Sequence, residues 1–212
     1  VITAALVLIC LFAPWLAPHD PAAQYPNGLS QLGAPLPPGH AFWFGTDALG
    51  RDVYSRLIFG TRTSLLIAVL ANVIATGIAL VLGTVAGYFG GWLDALLMRL
   101  TDIIFAFPSL VLLITLAVVL GRNVPLLILA ISILGWTTYA RIVRAEVLKV
   151  KQLEYVDAAR SLGAFNSRII LRHVLPNIAG PLLVVATSEF GLMILSEAGL
   201  SFLGLGNPDD TR

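Results

Sequence analysis

From residue 63 to residue 93 the chain carries no charged side chain, and this run constrains the fold more than any other feature. A helix needs about 20 mainly apolar residues to cross the hydrocarbon core of a bilayer. Further apolar runs occupy residues 103–121, 126–140 and 177–203, the last with Glu189 and Glu197 inside it. With 58% apolar and only 12% charged residues, a soluble fold could not bury this much apolar surface. The sequence therefore predicts an all-α polytopic membrane protein.

The first apolar run covers residues 1–17, with no charge before His19. We expect it to be the outer part of a first membrane helix whose start is missing, because it is short for a span. A signal peptide is the alternative, although no basic n-region and no A-x-A-type cleavage site is visible. The absence of an initial Met and the loop-like GNPDD near the end favour a longer complete protein. About five spans of an expected six would then be present.

Residues 18–62 are polar and rich in Pro and Gly, which predicts a loop outside the membrane. In its second half, Thr46 is a candidate helix cap, and Asp47–Arg51 and Asp52–Arg56 have the i,i+4 spacing of helical ion pairs. The apolar residues that share the opposite face are Leu49, Val53, Leu57 and Ile58. This pattern predicts an amphipathic helix lying at the membrane interface.

The same segment contains Gly45-x4-Gly50-Arg51-Asp52, which superficially resembles a phosphate-binding G-x4-G-K-[ST] loop. Arg51 replaces the lysine, Asp52 replaces the hydroxyl that would bind Mg²⁺, and no buried strand precedes the glycines. Nucleotide binding is therefore not expected at this loop.

Two features of the apolar runs bear on helix packing. Ala79, Gly83 and Gly87 repeat at four-residue spacing, which predicts a thin helix face for close contact. Pro108 predicts a kink, either static or acting as a hinge, because proline removes one helical hydrogen bond. Between these runs, residues 94–102 are expected to form a short turn.

Residues 141–176 form a charged island between two apolar runs. They hold seven of the 13 basic residues: Arg141, Arg144, Lys149, Lys151, Arg160, Arg168 and Arg172. With three acids, Glu146, Glu154 and Asp157, the island has a net charge of +4 and the rest of the chain −3. Because basic residues concentrate in cytoplasmic loops, the island is expected in the cytoplasm and residues 18–62 outside. Charge confined to one such loop does not indicate nucleic-acid binding.

The island has a helical pattern of its own. Four small or apolar residues fall on one helix face at i, i+3, i+4 and i+7: Tyr155, Ala158, Ala159 and Leu162. Glu154 and Asp157 lie in the first turn, which suits the helix dipole, and Gly163 can end the helix in the left-handed conformation. A second short helix capped by Asn166 or Ser167 is expected to follow and to end or turn at Pro176. The residues alone leave open whether the thin face meets a protein groove or lies on lipid headgroups.

Within the island, Asp157-Ala158-Ala159-x3-Gly163 followed by Leu175-Pro176 closely resembles the EAA signature, E-A-A-x3-G-x9-I-x-L-P. That signature belongs to permease subunits of bacterial ABC importers; here Asp157 stands for the Glu and His173 for the Ile. The resemblance covers nearly the whole chain and is to the second permease of the dipeptide, oligopeptide and nickel branch. The segments that carry it are GTDALGRDVYSRLIFGTRTSL, GYFGGWLDALLMRLTDI, EYVDAARSLGA, RIILRHVLPN and EAGLSFLGLG.

This resemblance implies the transmembrane domain of a type I ABC importer in a bacterial or archaeal cytoplasmic membrane. It implies that Asp157, Ala158, Ala159 and Gly163 belong to a coupling helix that sits in a cleft of an ATPase subunit. The residue pattern adds Glu154, Tyr155 and Leu162 as expected contacts. The implied partners are ABC ATPase subunits, a second permease subunit, an extracytoplasmic solute-binding protein and membrane lipid. The expected domains are residues 1–17, 18–62 and a permease core over 63–212.

The sequence has no Walker A motif, no metal-ligand cluster and no nucleophile–base pair. No cofactor is therefore expected, and this chain is not expected to hydrolyse ATP by itself. The resemblance implies that ATP hydrolysis resides in partner subunits and that peptides or nickel are the imported solute. Two other functions remain open at this point. An ion-coupled secondary transporter could use Glu189 and Glu197, and a non-transporting scaffold could bind anionic lipid through the basic island.

Overall fold

The structure, a computed structural model, describes residues 2–121 and 123–205. The described part of the chain has helices joined by irregular loops and no β-strand, as the all-α prediction requires. Its α-helices are α1 (Ile2–Leu16), α2 (Val53–Phe89), α3 (Gly91–Phe105), α4 (Ser109–Leu120), α5 (Val124–Val150), α6 (Glu154–Ser161), α7 (Asn166–Ile169) and α8 (Leu175–Phe202). A π-helical turn, Ile170–Val174, joins α7 to α8.

Three helical stretches are long and apolar enough to cross a bilayer: Val53–Phe89, Val124–Val150 and Asn166–Phe202. α3 and α4 form a bent pair with an angle of 88° between them, which is either a fourth, broken span or a re-entrant loop. α4 is only about 18 Å long at 1.5 Å per residue, so it cannot cross a core of about 30 Å alone. The break covers residues 106–108 and ends at Pro108, which confirms the predicted kink. α1, with 15 residues, is shorter than a full span.

The chain divides into two compact units, residues 2–67 and residues 68–205. In the first, the loop before α2 is organised around the fully buried Asp52. One carboxylate oxygen of Asp52 accepts a 2.6 Å hydrogen bond from the Ser55 hydroxyl and lies 3.1 Å from Nδ1 of His19. The His19 ring in turn packs against Tyr25 and Phe42. A buried carboxylate is costly unless it is paired, so these contacts account for the burial of Asp52.

Asp47 organises the neighbouring turn. It accepts hydrogen bonds from the backbone N–H groups of Leu49 and Arg51, and its other oxygen lies 2.8 Å from Nε of Arg51. Two backbone N–H groups of this turn are thus already occupied by the Asp47 side chain. The absence of nucleotide binding at Gly45-x4-Gly50 stays a prediction.

The predicted interfacial helix is wrong in its boundaries. The helix begins at Val53 and continues without interruption to Phe89, so the described chain has no separate helix after Thr46. The Thr46 hydroxyl is committed elsewhere, because it donates to the Gly28 carbonyl and accepts from the Leu36 N–H. Of the two expected ion pairs, Asp47–Arg51 is present, and Arg56 also approaches Asp47, at 3.3 Å.

In the second unit, the small-residue face of α2 packs closely on α5. A Cβ on Gly83 would lie 2.7 Å from the Ala140 carbonyl oxygen, and one on Gly87 would lie 2.9 Å from Cβ of Val147. Ala79 in the same row is fully buried. The predicted close helix contact is therefore confirmed, with α5 as the partner helix.

The expected turn over residues 94–102 is wrong, because these residues lie within α3. Their acids face basic residues of the charged island. Asp102 accepts a 2.6 Å hydrogen bond from Arg141, and Asp94 accepts one of the same length from Arg144. Two basic residues of the island thus join α3 to α5, a pairing between distant segments that local patterns do not reveal.

Pro176 does not end the helix that precedes it, contrary to the prediction. The Leu175 N–H donates to the Ile170 carbonyl five residues earlier, which is a π-helical hydrogen bond. Pro176 follows immediately, where the hydrogen-bond register has shifted, and it occupies the first turn of α8, a position that proline tolerates. Residues 166–202 therefore form one continuous helical stretch.

Candidate partner-docking surface

The short helix α6 is held by one buried side chain and exposes the rest. Val156 is fully buried, while most neighbouring side chains face away from the protein. The predicted contact residues are Glu154, Tyr155, Asp157, Ala158, Ala159, Leu162 and Gly163; all are exposed except Ala159, which is half-buried. These seven residues are called the docking surface below. The arrangement leaves this surface open while its attachment point lies in the protein interior.

Val156 inserts into a cluster that joins the ends of several helices. The members of this anchoring core are Tyr88, Val143, Val147, Val150, Val156, Ile169, Val174, Ile178 and Leu182. They come from α2, α5, α6, α7, the π-turn and α8. Full burial of a Val or Ile side chain contributes about 1.5–3 kcal/mol, so the core is an appreciable source of local stability. A displacement of α6 would therefore disturb the ends of three long helices at once.

α6 ends in a Schellman motif centred on Gly163. The Ala164 N–H donates to the Ala159 carbonyl at 3.1 Å, and the Gly163 N–H donates to the Arg160 carbonyl at 3.0 Å. Gly163 has φ +80°, the left-handed conformation that glycine adopts without steric cost. The predicted role of Gly163 as the end of α6 is confirmed. The predicted cap of the next helix by Asn166 or Ser167 is wrong, because Phe165 is the N-cap of α7 and the Asn166 side chain accepts a hydrogen bond from Tyr88.

The docking surface combines apolar side chains with charged ones. Leu162 is 88% exposed and Tyr155 is 41% exposed, which is unusual for side chains of this size in a defined helix–turn structure. Phe165, just beyond the surface, is 81% exposed. Exposed Asp157 forms a 3.1 Å ion pair with Arg160, three residues along the helix. An apolar centre with charged neighbours is typical of a protein–protein contact.

His173, the departure from the EAA signature at its Ile position, is half-buried beneath α6. Its ring centroid lies 6.1 Å from that of Tyr155, an aromatic contact between the π-turn and the docking helix. Here an imidazole provides the packing surface.

Two polar contacts connect this region to the end of α2. The Tyr88 hydroxyl donates to Oδ1 of Asn166 at 2.9 Å, and Nζ of Lys151 donates to the Gly87 carbonyl at 2.8 Å. The last carbonyls of a helix have no partner within it, and a lysine is a favourable one. Lys151 therefore has a structural role, although it belongs to the basic island.

The sequence reasoning missed two residues here. Val156 was not singled out, although it is the only buried residue of α6 and fixes its orientation. Its apolar side chain between Tyr155 and Asp157 was the available signal. Phe165 was also missed, because it lies between the two predicted helices and belongs to neither pattern.

The described residues contain no group of three or more His, Cys, Asp or Glu side chains able to hold a metal ion. The site geometry is thus that of a contact surface built on a short helix. Residues 79–209 match the family described as binding-protein-dependent transport system inner membrane component. The chain belongs to this family. Membership makes it a multi-pass inner membrane protein of a transport system, with the helical fold expected from the sequence.

Residues 1–38 match a second family model, the N-terminal TM domain of oligopeptide transport permease C. Among curated relatives, the chain is 41% identical over 208 residues to the oligopeptide transport system permease protein of Bacillus subtilis, covering 98% of this chain and 67% of that one. It is 41% identical to a probable D,D-dipeptide transport system permease protein of Escherichia coli, covering 97% and 67%. It is 37% identical to the glutathione transport system permease protein of Pectobacterium atrosepticum, covering 95% and 65%.

The chain therefore spans about two thirds of the length of the relatives it matches. All three are named as transport permeases, which supports a transport rather than a catalytic role. Their similarity extends over nearly the whole chain, so it includes α6 and the anchoring core.

Proposed function

We propose that this chain is a permease subunit of an ATP-driven, binding-protein-dependent importer of peptides. The support is its family together with the relatives named for oligopeptide, D,D-dipeptide and glutathione transport. All three solutes are peptides, so peptides are favoured over nickel, which the resemblance alone left open. In this proposal a second permease subunit completes the pathway, and a solute-binding protein delivers the peptide from outside.

The proposed coupling element is the docking surface on α6. The observation that carries this assignment is the contrast between the buried Val156 and the exposed residues around it. A groove of an ATPase subunit would receive Leu162 and Tyr155, whose apolar surface is otherwise left in water. The small side chains of Ala158 and Ala159 would allow the helix to enter the groove closely.

Coupling would follow from the attachment of α6 to the anchoring core. When two ATPase subunits close on ATP, the groove would carry α6 with it, and Val156 would transmit the displacement to α5 and α8. Packed interfaces tend to switch between discrete arrangements rather than deform continuously. The helices would therefore pass from an inward-open to an outward-open arrangement, with ATP hydrolysed in the partner subunits and not in this chain.

The proposal places the docking surface in the cytoplasm. Four basic residues of the island have partners within the protein or on their own helix: Arg141, Arg144, Lys149 and Arg160. These ion pairs do not weaken the orientation argument, because the positive-inside rule concerns Lys and Arg rather than net charge. They do weaken the alternative in which the island is mainly a lipid-binding basic patch.

Ala158→Trp tests the coupling assignment. Ala158 is exposed, whereas Ala159 is half-buried. A large side chain at position 158 would therefore block entry of α6 into the ATPase groove without disturbing the anchoring core. In the assembled transporter we expect loss of ATPase co-purification and of ATP-driven peptide uptake. Ala158→Ser, which adds one small atom, serves as the matched control and is expected to retain both. Normal assembly and uptake in the Trp variant would show that the docking surface lies elsewhere.

A further inference from the structure

A cavity of about 320 Å³ lies where α3 and α4 meet α5 and α8. The break between α3 and α4 forms one wall with Phe107 and Ser109, and α8 forms another with Glu189 and Met193. The volume is at the lower end of the range of about 300–1,000 Å³ found for small-molecule sites. Most of the lining is apolar, and Glu189 is the only ionisable residue among the described residues that line it.

The Glu189 carboxylate is half-buried and has no hydrogen-bond or ion-pair partner among the described residues. This contrasts with Asp94 and Asp102, each paired with an arginine of α5. Ionisable side chains inside a membrane-spanning helix are costly, and they normally face a cavity or a partner. The position therefore suits a cation that enters the cavity from outside the chain.

The other polar groups at the cavity indicate what kind of cation fits. The hydroxyls of Thr137 and Ser196 each donate to a backbone carbonyl of their own helix at 2.8 Å, so they can only accept from a ligand. The hydroxyls of Ser109 and Thr138, which also line the cavity, can accept as well as donate, and a carboxylate is an acceptor only. An ammonium group, with three donors and no acceptor, matches this lining.

A metal ion fits less well. Divalent cations in proteins are held by several oxygen, nitrogen or sulfur ligands, whereas the described residues contain no group of three His, Cys, Asp or Glu side chains. One carboxylate suffices for an ion pair with an ammonium group.

We propose that Glu189 binds the positively charged amino terminus of the peptide as it passes through this cavity. The inference rests on the proposed function and adds to it the part of the solute that is recognised. An amino terminus is common to all unmodified peptides. The apolar walls of the cavity do not require polar side chains in the peptide. One such contact would accept peptides of varied sequence and disfavour those without a free amino group.

The test compares a free peptide with its N-acetylated form in the complete transporter, reconstituted with its own binding protein and ATPase subunits. The measured quantity is the ratio of ATP-driven uptake rates for the two peptides, in wild type and in Glu189→Gln. The preference of the binding protein is the same in both transporters, so it cancels when the two ratios are compared. We expect the preference for the free peptide to fall about tenfold in Glu189→Gln. This is the change expected when one charge-assisted hydrogen bond is lost.

Ser188→Ala is the matched control. Ser188 is the exposed neighbour of Glu189, its hydroxyl donates to the Val184 carbonyl, and it does not line the cavity. Its ratio should equal that of wild type. Glu189→Asp keeps the charge and should retain a preference for the free peptide, which separates a charge effect from a general disturbance of α8.

Leu192→Lys provides a second, independent variant if Glu189→Gln does not assemble. Leu192 lines the cavity three residues from Glu189, so the new lysine ammonium would form an ion pair with the Glu189 carboxylate. The preference for the free peptide should be lost in Leu192→Lys and kept in Leu192→Gln. An unchanged ratio in Glu189→Gln or in Leu192→Lys would overturn the inference while leaving the proposed function intact. If the wild-type transporter imports neither peptide, the proposed function fails and the inference fails with it.

Discussion

Tyr88 donates its hydroxyl to the side-chain oxygen of Asn166 across 2.9 Å, linking the end of α2 to the start of α7. The two residues are 78 positions apart in the chain. The Tyr88 ring belongs to the anchoring core that also holds Val156. This bond connects a membrane-spanning helix to the segment that directly follows the docking surface, so it lies on the proposed coupling route.

Removing this hydroxyl tests whether the bond contributes to stability. Tyr88→Phe keeps the ring in the core and leaves the Asn166 side chain without this donor. We expect a loss of about 0.5–1.5 kcal/mol in the free energy of unfolding, the usual contribution of one hydrogen bond. Thermal unfolding of the purified subunit measures it, and the double variant with Asn166→Ala should lose little more than Asn166→Ala alone. Fully additive losses would mean that the two side chains do not interact.

The contact between α2 and α5 depends on the absence of a side chain at Gly87. In Gly87→Ala the new methyl group would lie 2.9 Å from both the Arg144 carbonyl oxygen and Cβ of Val147, so the helices must separate. Overpacking of this kind costs about 1–3 kcal/mol. Gly77→Ala, in the same helix with nothing within 4 Å of the added Cβ, is the control. We expect a lower melting temperature for Gly87→Ala and an equal or higher one for Gly77→Ala; equal melting temperatures would contradict the close packing.

Gly163 tests whether the shape of the docking surface matters, because a Cβ there meets no atom within 4 Å. The only obstacle to substitution is the positive φ, which costs an ordinary residue about 1–2 kcal/mol. Gly163→Val should therefore shift the end of α6 and reduce ATPase binding and coupled transport. Gly163→Asn, which tolerates this conformation better, should retain more of both. Similar losses in the two variants would argue against a conformational role.

Acidification should loosen the loop around Asp47. Burial opposes ionisation of this carboxyl, but the hydrogen bonds from Arg51 and Leu49 outweigh burial and lower its pKa below the ordinary value of 3.8. A lowered pKa means that the ionised group stabilises the fold above pH 3.8, and that this contribution disappears as the pH falls through the folded-state value. Limited proteolysis of the loop between pH 7 and pH 2 measures the effect. Asp47→Asn should be cleaved faster near neutral pH and show less dependence on acid; identical profiles would refute the assignment.

The sequence predicted the helices and the exposed face of α6 well where the information is local. The spacing of Tyr155, Ala158 and Leu162 identified the exposed face of α6, and Gly163 identified its end. The row of Ala79, Gly83 and Gly87 identified a packing face because small side chains at four-residue spacing have few other uses in a membrane helix.

Predictions failed where distant residues decide the outcome. Asp94 and Asp102 resembled turn residues, but arginines of α5 pair with them and α3 stays helical. Thr46 resembled a helix cap, but Gly28 and Leu36 engage its hydroxyl. Pro176 resembled a helix end because the π-turn before it cannot be read from local spacing. For the two aspartates and for Thr46, the competing partner lies outside the window in which the pattern was interpreted. For Pro176 the cause is local, but the π-turn has no spacing signal of its own.

The central claim, that α6 docks on an ATPase subunit, is tested most directly by crosslinking at Leu162. A photoreactive amino acid is placed there in the complete, assembled transporter, and the same substitution at Phe202 serves as the control. The two side chains are 88% and 91% exposed, but Phe202 is at the far end of α8, a helix about 40 Å long. We predict covalent adducts with the ATPase from Leu162 and none from Phe202. Adducts absent at Leu162, or equal at both positions while the ATPase co-purifies, would contradict the account.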